Sequence, residues 1–397
     1  MKLTTQPTLA NGGDAVARAP DGRVVFIEGA APNEYVEVEI TQSKKKFAKA
    51  RVIKILEDSP DRAEPKCKNY EFCGGCTSQH ITSEAQTRSK QDALSQTLKR
   101  IGKIDLESVV VQEPWTGNAY GYRNRARLAL APGNVVGFRA PFSNNIIDIE
   151  ECPVLSPLAQ KTLDEIRRLN LRAKEIEEIE LIAAAERAMV LLPKKYSGVV
   201  KNKSGELRYV FSAKGRSIPA NDGCGDLLLS PGVFAQSNAD GNVAMINYLV
   251  SLIPSSEHLL ELYAGSGNFT RAFCGRAARI EIVEGAGPAI ELAKRSLPSD
   301  VEIHESSVED FLEQKVSEGL TGVDVLVDPP RSGLSKDAVN LLRKLKPSSL
   351  VYVSCDPVTF ARDLGLLSDL YGLTQVKLFD LYPHTGHSEL IGHLKSL

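Results

Sequence analysis

The sequence predicts an α/β protein in three parts: a small OB-like β-barrel at residues 1–58, a mixed α/β segment at 59–232, and a doubly wound, mostly parallel sheet at 233–397. Three observations predict this. From His258 onward, apolar runs (HLLELYAG, RIEIVEG, VEIHESS, VDVLVDPP, LVYVSCDP) alternate with helical stretches such as AGPAIELAKRSL and SKDAVNLLRKL, the rhythm of strand–helix–strand units. Residues 1–58 carry instead four or five short alternating strands broken by Asp-Gly, Gly-Ala and Pro-Asn turns, enough to close a small barrel. Between the two, PDRAEPKCKNYEFCGGCTSQH follows a proline-marked boundary, residues 84–101 read as helix, and Pro114 to about Gly232 mixes strand and helix.

A chain of 397 residues, 42% hydrophobic and 25% charged, has an ordinary composition with room for two or three domains. No stretch reaches membrane-spanning length, and the opening MKLTTQPTLANGG lacks the apolar centre of a secretory signal. A cytoplasmic, monomeric enzyme that needs no membrane is the expectation. The net charge of −2 does not advertise a nucleic-acid binder, but it hides local patches. Ile40 to Leu56 contains no acid and holds Lys44, Lys45, Lys46, Lys49, Arg51 and Lys54. On a small barrel such a run reads equally as a solvated face or as a surface for phosphates. In YGYRNRARLAL, strand alternation places Arg123, Arg125 and Arg127 on one face, beside Tyr120 and Tyr122. That is either the outer face of a sheet or a groove for RNA backbone with tyrosines free to stack.

In a doubly wound sheet, ligands bind at the carboxyl ends of the strands. The first strand ends LELYAGSGNFT, where Gly265 and Gly267 permit a tight turn. A dinucleotide fingerprint requires glycine or alanine where Thr270 stands, which argues against a nicotinamide oxidoreductase. Glu284 ends the next strand, placed to take a ribose hydroxyl. This pairing is closer to an S-adenosylmethionine site. The fourth strand ends VDPPRSG, so Asp328 leaves the sheet into a stiff turn. Amino-methylating enzymes of this fold carry an aromatic where Arg331 stands, and RNA cytosine methyltransferases carry a cysteine in this loop that is absent here.

The fifth strand delivers Cys355, with Asp356 as helix N-cap and Pro357 at the first helical position. A buried free cysteine is ordinarily a small hydrophobe. At a ligand edge against a helix amino terminus, it is expected to be a thiolate of lowered pKa. One reaction needs such a group. Carbon 5 of uracil becomes nucleophilic only after thiolate adds at carbon 6, and a base must then remove the carbon-5 proton. FDLYPHTGHSELIGHL offers Glu389 as that base, with His387 as a hydrogen-bonding support, and His384 and His393 as structural residues.

Cys67-x5-Cys73-x2-Cys76 supplies three thiolates around Gly74 and Gly75, and Cys152 completes a set of four, with His80 a weaker alternative. Spacing alone leaves zinc and an iron–sulfur cube equally open. Cys224 and Cys274 read as ordinary thiols.

Taken in order, DPPR, SCDPVTFARDL and the ending through HSE resemble the S-adenosylmethionine-dependent RNA uracil-5 methyltransferases, over nearly the whole chain. The resemblance implies a Rossmann-like class I methyltransferase domain behind a TRAM-type barrel, with Cys355 as nucleophile and Glu389 as proton acceptor. PGVFAQSN resembles the family's Phe-x-Gln-x-Asn segment, implying that Gln236 contacts the cofactor. Tyr263, Gly265, Asn268, Glu284 and Asp328 match its other cofactor contacts. Members with the small barrel carry a 4Fe-4S cluster on this cysteine pattern, which favours iron–sulfur over zinc at Cys67, Cys73, Cys76 and Cys152. The chain departs at Ser388, where valine is common, and at Glu261, where aspartate is common. The expected activity is methylation of a uridine in RNA, 23S rRNA ahead of transfer RNA. The rival reading is a non-catalytic iron–sulfur RNA-binding protein.

Overall fold

The computed structural model describes residues 1–10, 12–198, 200 and 207–397. The amino-terminal strands β1 (Lys2–Leu9), β2 (Ala15–Arg18), β3 (Val24–Glu28), β4 (Tyr35–Ser43) and β5 (Phe47–Glu57) close into a barrel in the order β1-β2-β3-β5-β4. Ala15, Ala17, Ala48 and Ala50 alternate inward with Val25, Ile27, Val36 and Val38; side chains this small let few strands close around a filled interior. Lys44, Lys45, Lys46, Lys49 and Lys54 are exposed on β4–β5 and the turn between them. Arg51 reaches Glu39 across the same pair at 2.6 Å.

Helix α1 (Ser83–Thr97), capped by the Thr82 hydroxyl, packs on the barrel, where Ser89 accepts from the Leu9 amide. Two short strands, β6 (Val110–Val111) and β7 (Trp115–Thr116), follow. The middle sheet contains β8 (Arg125–Ala131), β9 (Val135–Arg139), β10 (Ile146–Asp148), β11 (Glu177–Ala184), β12 (Arg187–Leu191) and β13 (Leu207–Val210), ordered β10-β9-β8-β11-β12-β13. Helix α2 (Pro157–Arg168) buries Leu163 and Ile166 against it. A ribbon of β14 (Ile218–Pro219) and β15 (Leu228–Leu229) leads to α3 (Ala239–Leu252).

The last sheet comprises β16 (Leu259–Leu262), β17 (Ile280–Glu284), β18 (Glu302–Glu305), β19 (Asp324–Val327), β20 (Ser349–Ser354), β21 (Tyr371–Asp380) and β22 (Glu389–Ser396). Its order is β18-β17-β16-β19-β20-β22-β21-β6, with β7 also pairing to β21. Helices α4 (Gly287–Ser296), α5 (Val308–Ser317), α6 (Lys336–Leu345) and α7 (Pro357–Leu367) connect the strands. Alternate residues of each strand enter cores on opposite faces: Leu260, Leu262 and Tyr352 on one, Leu259, Val351 and Val353 on the other. Burial on both faces is why these strands are continuously apolar. β16–β20 are parallel, but β22 runs antiparallel between β20 and β21. Its first residue therefore lies at the edge where the parallel strands end. Among the described residues, no helix is long and apolar enough to cross a membrane.

Candidate active site

Strand order reverses between β16 and β19, so the crevice opens where both end. The chain leaves β16 through three left-handed residues: Tyr263 (φ +60°), Gly265 (φ +59°) and Gly267 (φ +82°). Glycine adopts this conformation freely, whereas a bulky residue there is an outlier of the kind found at ligand sites. Glu284, at the end of β17, holds the turn by accepting from the amides of Gly265 (2.9 Å) and Ala286 (2.8 Å). Asn268 and Asn242 exchange side-chain hydrogen bonds of 2.7 and 2.9 Å. Thr270 donates to the buried Glu261 at 2.6 Å. Burial pushes Glu261 up to about 8, against that hydrogen bond. Thr270, which breaks the dinucleotide fingerprint, and Glu261, which stands where aspartate is common, thus form one buried pair beneath the turn.

From β19 the chain enters Asp328-Pro329-Pro330-Arg331, and burial pushes Asp328 up to about 7. From β20 it reaches Cys355. In β22, Leu390 pairs with Ser354 and Glu389 with Phe379 of β21, so Glu389 stands beside the end of β20. Glu389 is 5% exposed. Burial, then the Asp328 carboxylate, push it up to about 8, with Arg331 opposing. Tyr263, Gly265, Asn268, Glu284, Asp328, Arg331, Cys355 and Glu389 line one cavity of about 550 Å³, together with Gln236 and Phe234.

The expected lowering of the Cys355 pKa does not occur. Burial and then Glu389 push the thiol up to about 11, and Arg331 opposes them only in part. The helix amino terminus is already occupied, since the Asp356 carboxylate accepts from the amides of Val358 and Thr359. His387 does not support Glu389; it is exposed, and its ring nitrogen meets Arg331 at 3.4 Å. His384 and His393 are buried. Of the arginine-rich strand, Arg125 is committed to the buried Glu180. Tyr122 is buried and donates to the Pro383 carbonyl at 3.1 Å, so it is not free to stack. Phe234, the phenylalanine of the Phe-x-Gln-x-Asn segment and not singled out with Gln236, is a cavity-lining ring that is 72% exposed.

Cys67, Cys73, Cys76 and Cys152 line a second cavity of about 670 Å³ with Arg123 and Arg127. Gly232, Phe234, Ala235 and Arg331 line both cavities. Burial pushes the Cys152 thiol up to about 11, and neighbouring cysteine charges add to it. Gly75 donates its amide to the Cys73 sulfur at 3.4 Å. At Gly74 a Cβ would lie 3.0 Å from the Arg139 carbonyl, so a side chain there would push the loop a few tenths of an ångström off β9. His80 is excluded as a ligand, because its ring nitrogens are engaged by Tyr70 (2.5 Å) and the Ala30 carbonyl (3.1 Å). Among the described residues, only Glu281, Glu302 and His304 bring three potential ligand atoms within 4.8 Å of one another. No three of the four sulfurs therefore lie within 4.8 Å of one another.

Residues 228–396 match the family described as tRNA (Uracil-5-)-methyltransferase, and residues 5–53 match the TRAM domain. The 23S rRNA (uracil(1939)-C(5))-methyltransferases RlmD of Salmonella choleraesuis and Salmonella typhimurium are each 34% identical, over 95% of this chain and 92% of theirs. The crystal structure of Pyrococcus abyssi tRNA (uracil-54, C5)-methyltransferase in complex with S-adenosyl-L-homocysteine superposes with a TM-score of 0.74. That likeness covers 99% of both chains at 25% identity. The chain belongs to the S-adenosylmethionine-dependent RNA uracil-C5 methyltransferases.

Proposed function

We propose that this protein transfers a methyl group from S-adenosylmethionine to carbon 5 of a uridine in 23S rRNA. The observation that carries the reading is the cavity that holds Cys355, Glu389 and the exits of three parallel strands together. Cys355 Sγ bonds to carbon 6, and the ring electrons move onto carbon 5 and the carbonyl at carbon 4. S-adenosylmethionine would supply the methyl group for carbon 5, its sulfonium–methyl bond breaking to leave S-adenosylhomocysteine, and its positive charge would favour the ionised thiol and carboxyls around it. Glu389 then removes the carbon-5 proton, the ring double bond re-forms and the carbon 6–sulfur bond breaks. An acid held near 8 suits that task, because its carboxylate is a stronger base than an exposed one. The uridine must leave any stack to reach Cys355.

Gln236, Tyr263, Gly265, Asn268, Glu284 and Asp328 hold the methyl donor, with Glu284 on its ribose. Cys67, Cys73, Cys76 and Cys152 hold a 4Fe-4S cluster in a structural role. The shared cavity of the four cysteines, the amide donated to Cys73 and the glycines of the loop support it. The exposed lysines of β4–β5 hold RNA backbone, and the protein acts as a monomer.

The test is methyl transfer to unmodified ribosomal and transfer RNA, supplied separately to anaerobically purified protein whose iron and sulfide are assayed. The reading requires 5-methyluridine in 23S rRNA and none with Cys355→Ala. Label only in transfer RNA would move the substrate and keep the chemistry. No label in either, with cluster and cofactor bound, would favour a non-catalytic RNA-binding protein.

A further inference from the structure

Tyr382 lies on the segment between β21 and β22, outside every group assigned a role above. Its hydroxyl donates to the Gln236 side-chain oxygen at 2.7 Å. The Ser237 amide faces the same phenol oxygen as a donor, so the phenol's own proton is committed to Gln236. Burial, then Glu389, hold the phenol well above its usual range, and it stays a donor throughout the working pH range. Its backbone is pinned on both sides. Asn238 donates to the Leu381 carbonyl at 2.9 Å, and Thr385 donates to the Tyr382 carbonyl at 2.8 Å. With the amide oxygen turned to the phenol, the two N–H groups face the other way, and Gln236 lines the catalytic cavity.

We propose that Tyr382 is a positioning residue for the methyl donor: it turns the Gln236 amide so that its NH2 group faces the cavity and donates to the amino-acid carboxylate of S-adenosylmethionine. This rests on the cofactor reading given above. The same hydrogen bond ties the cofactor wall to the segment that runs into Glu389.

The experiment is calorimetric titration of the holoprotein with S-adenosylhomocysteine, which keeps that carboxylate. Tyr382→Phe retains the ring and is expected to weaken binding roughly tenfold, with RNA affinity unchanged. Gln236→Ala weakens it at least as much, and the double variant is no weaker than Gln236→Ala alone. Gln236→Glu, which turns an acceptor toward the carboxylate, binds worse than Gln236→Ala. Wild-type affinity in Tyr382→Phe, additive losses in the double variant, or wild-type affinity in Gln236→Glu would each overturn the proposal. Failure of the wild-type protein to bind would instead overturn the cofactor reading itself.

Discussion

Two buried glutamates occupy opposite ends of the same sheet. Glu281 lies near the start of β17 and is fully buried. Lys315 reaches it at 2.6 Å, His258 and His304 at 2.9 Å and Arg279 at 3.1 Å. Burial alone would raise its pKa, but these partners outweigh it and hold the carboxylate low. Glu389, at the ligand edge, is almost as buried and is held high, with Arg331 opposing. A carboxylate saturated with partners stabilises the fold and has no basicity left. One kept short of partners destabilises the fold and keeps basicity for a substrate.

Four experiments would break or sharpen this contrast. Cys355→Ala is expected to lower methyl transfer by at least ~10⁴-fold with the fold intact, as for loss of a covalent nucleophile; residual transfer near the wild-type rate would remove Cys355 from the chemistry. Glu389→Gln is expected to lower single-turnover rates by ~10²–10⁴-fold. It should also leave RNA bonded to Cys355, seen as a shifted band on a denaturing gel; no shifted band would mean that the base acts before addition. At the other end, Lys315→Met leaves Glu281 short of a partner and should cost about 3 kcal/mol in denaturant unfolding. Its transfer rate per folded molecule should not change, and a large loss of rate would blur the division between the two ends.

The smallest effect is the pH dependence of stability. Glu389 and Asp328 have folded-state pKa values raised to about 8 and about 7. The stability they leave intact is fully present below their unfolded values and is lost as pH rises through 7 to 8. Glu281 is lowered, so its contribution is present above its unfolded value and is lost on acidification. Thermal midpoints should fall on both sides of a maximum near the unfolded carboxyl values, about pH 4 to 5. Glu389→Gln should flatten the alkaline limb only, and Glu281→Gln the acid limb only.

The sheet was legible because a parallel sheet buried on both faces must write its strands as apolar runs, and Gly265 and Pro329 mark where two of them stop. The barrel was legible from its turns. Chemistry at strand ends could be sought once the sheet was known, since parallel strands end on one side; Glu389 reaches that side only because β22 is antiparallel, which no local pattern announces. Ionisation was not legible. Asp356 caps α7 so well that it removes the positive end expected to acidify Cys355, and Glu389 then pushes the thiol the other way. Arg125 and Tyr122 resemble free surface groups until Glu180 and Pro383, distant in sequence, are brought to them. The Tyr382–Gln236 bond spans a similar distance, and FDLYPH carries no trace of it.

The insertion of β22 between β20 and β21 also bears on how the protein is made. Translation proceeds from the amino terminus, so Cys355 and its neighbours emerge well before Glu389. A chain interrupted in between would hold the thiol without the base, a species able to seize RNA and not let go. The same interruption leaves β20 and β21 unpaired along facing edges, so the sheet that shapes the cavity does not close. Pairing of β22 between β20 and β21 and assembly of the reactive centre are thereby one event.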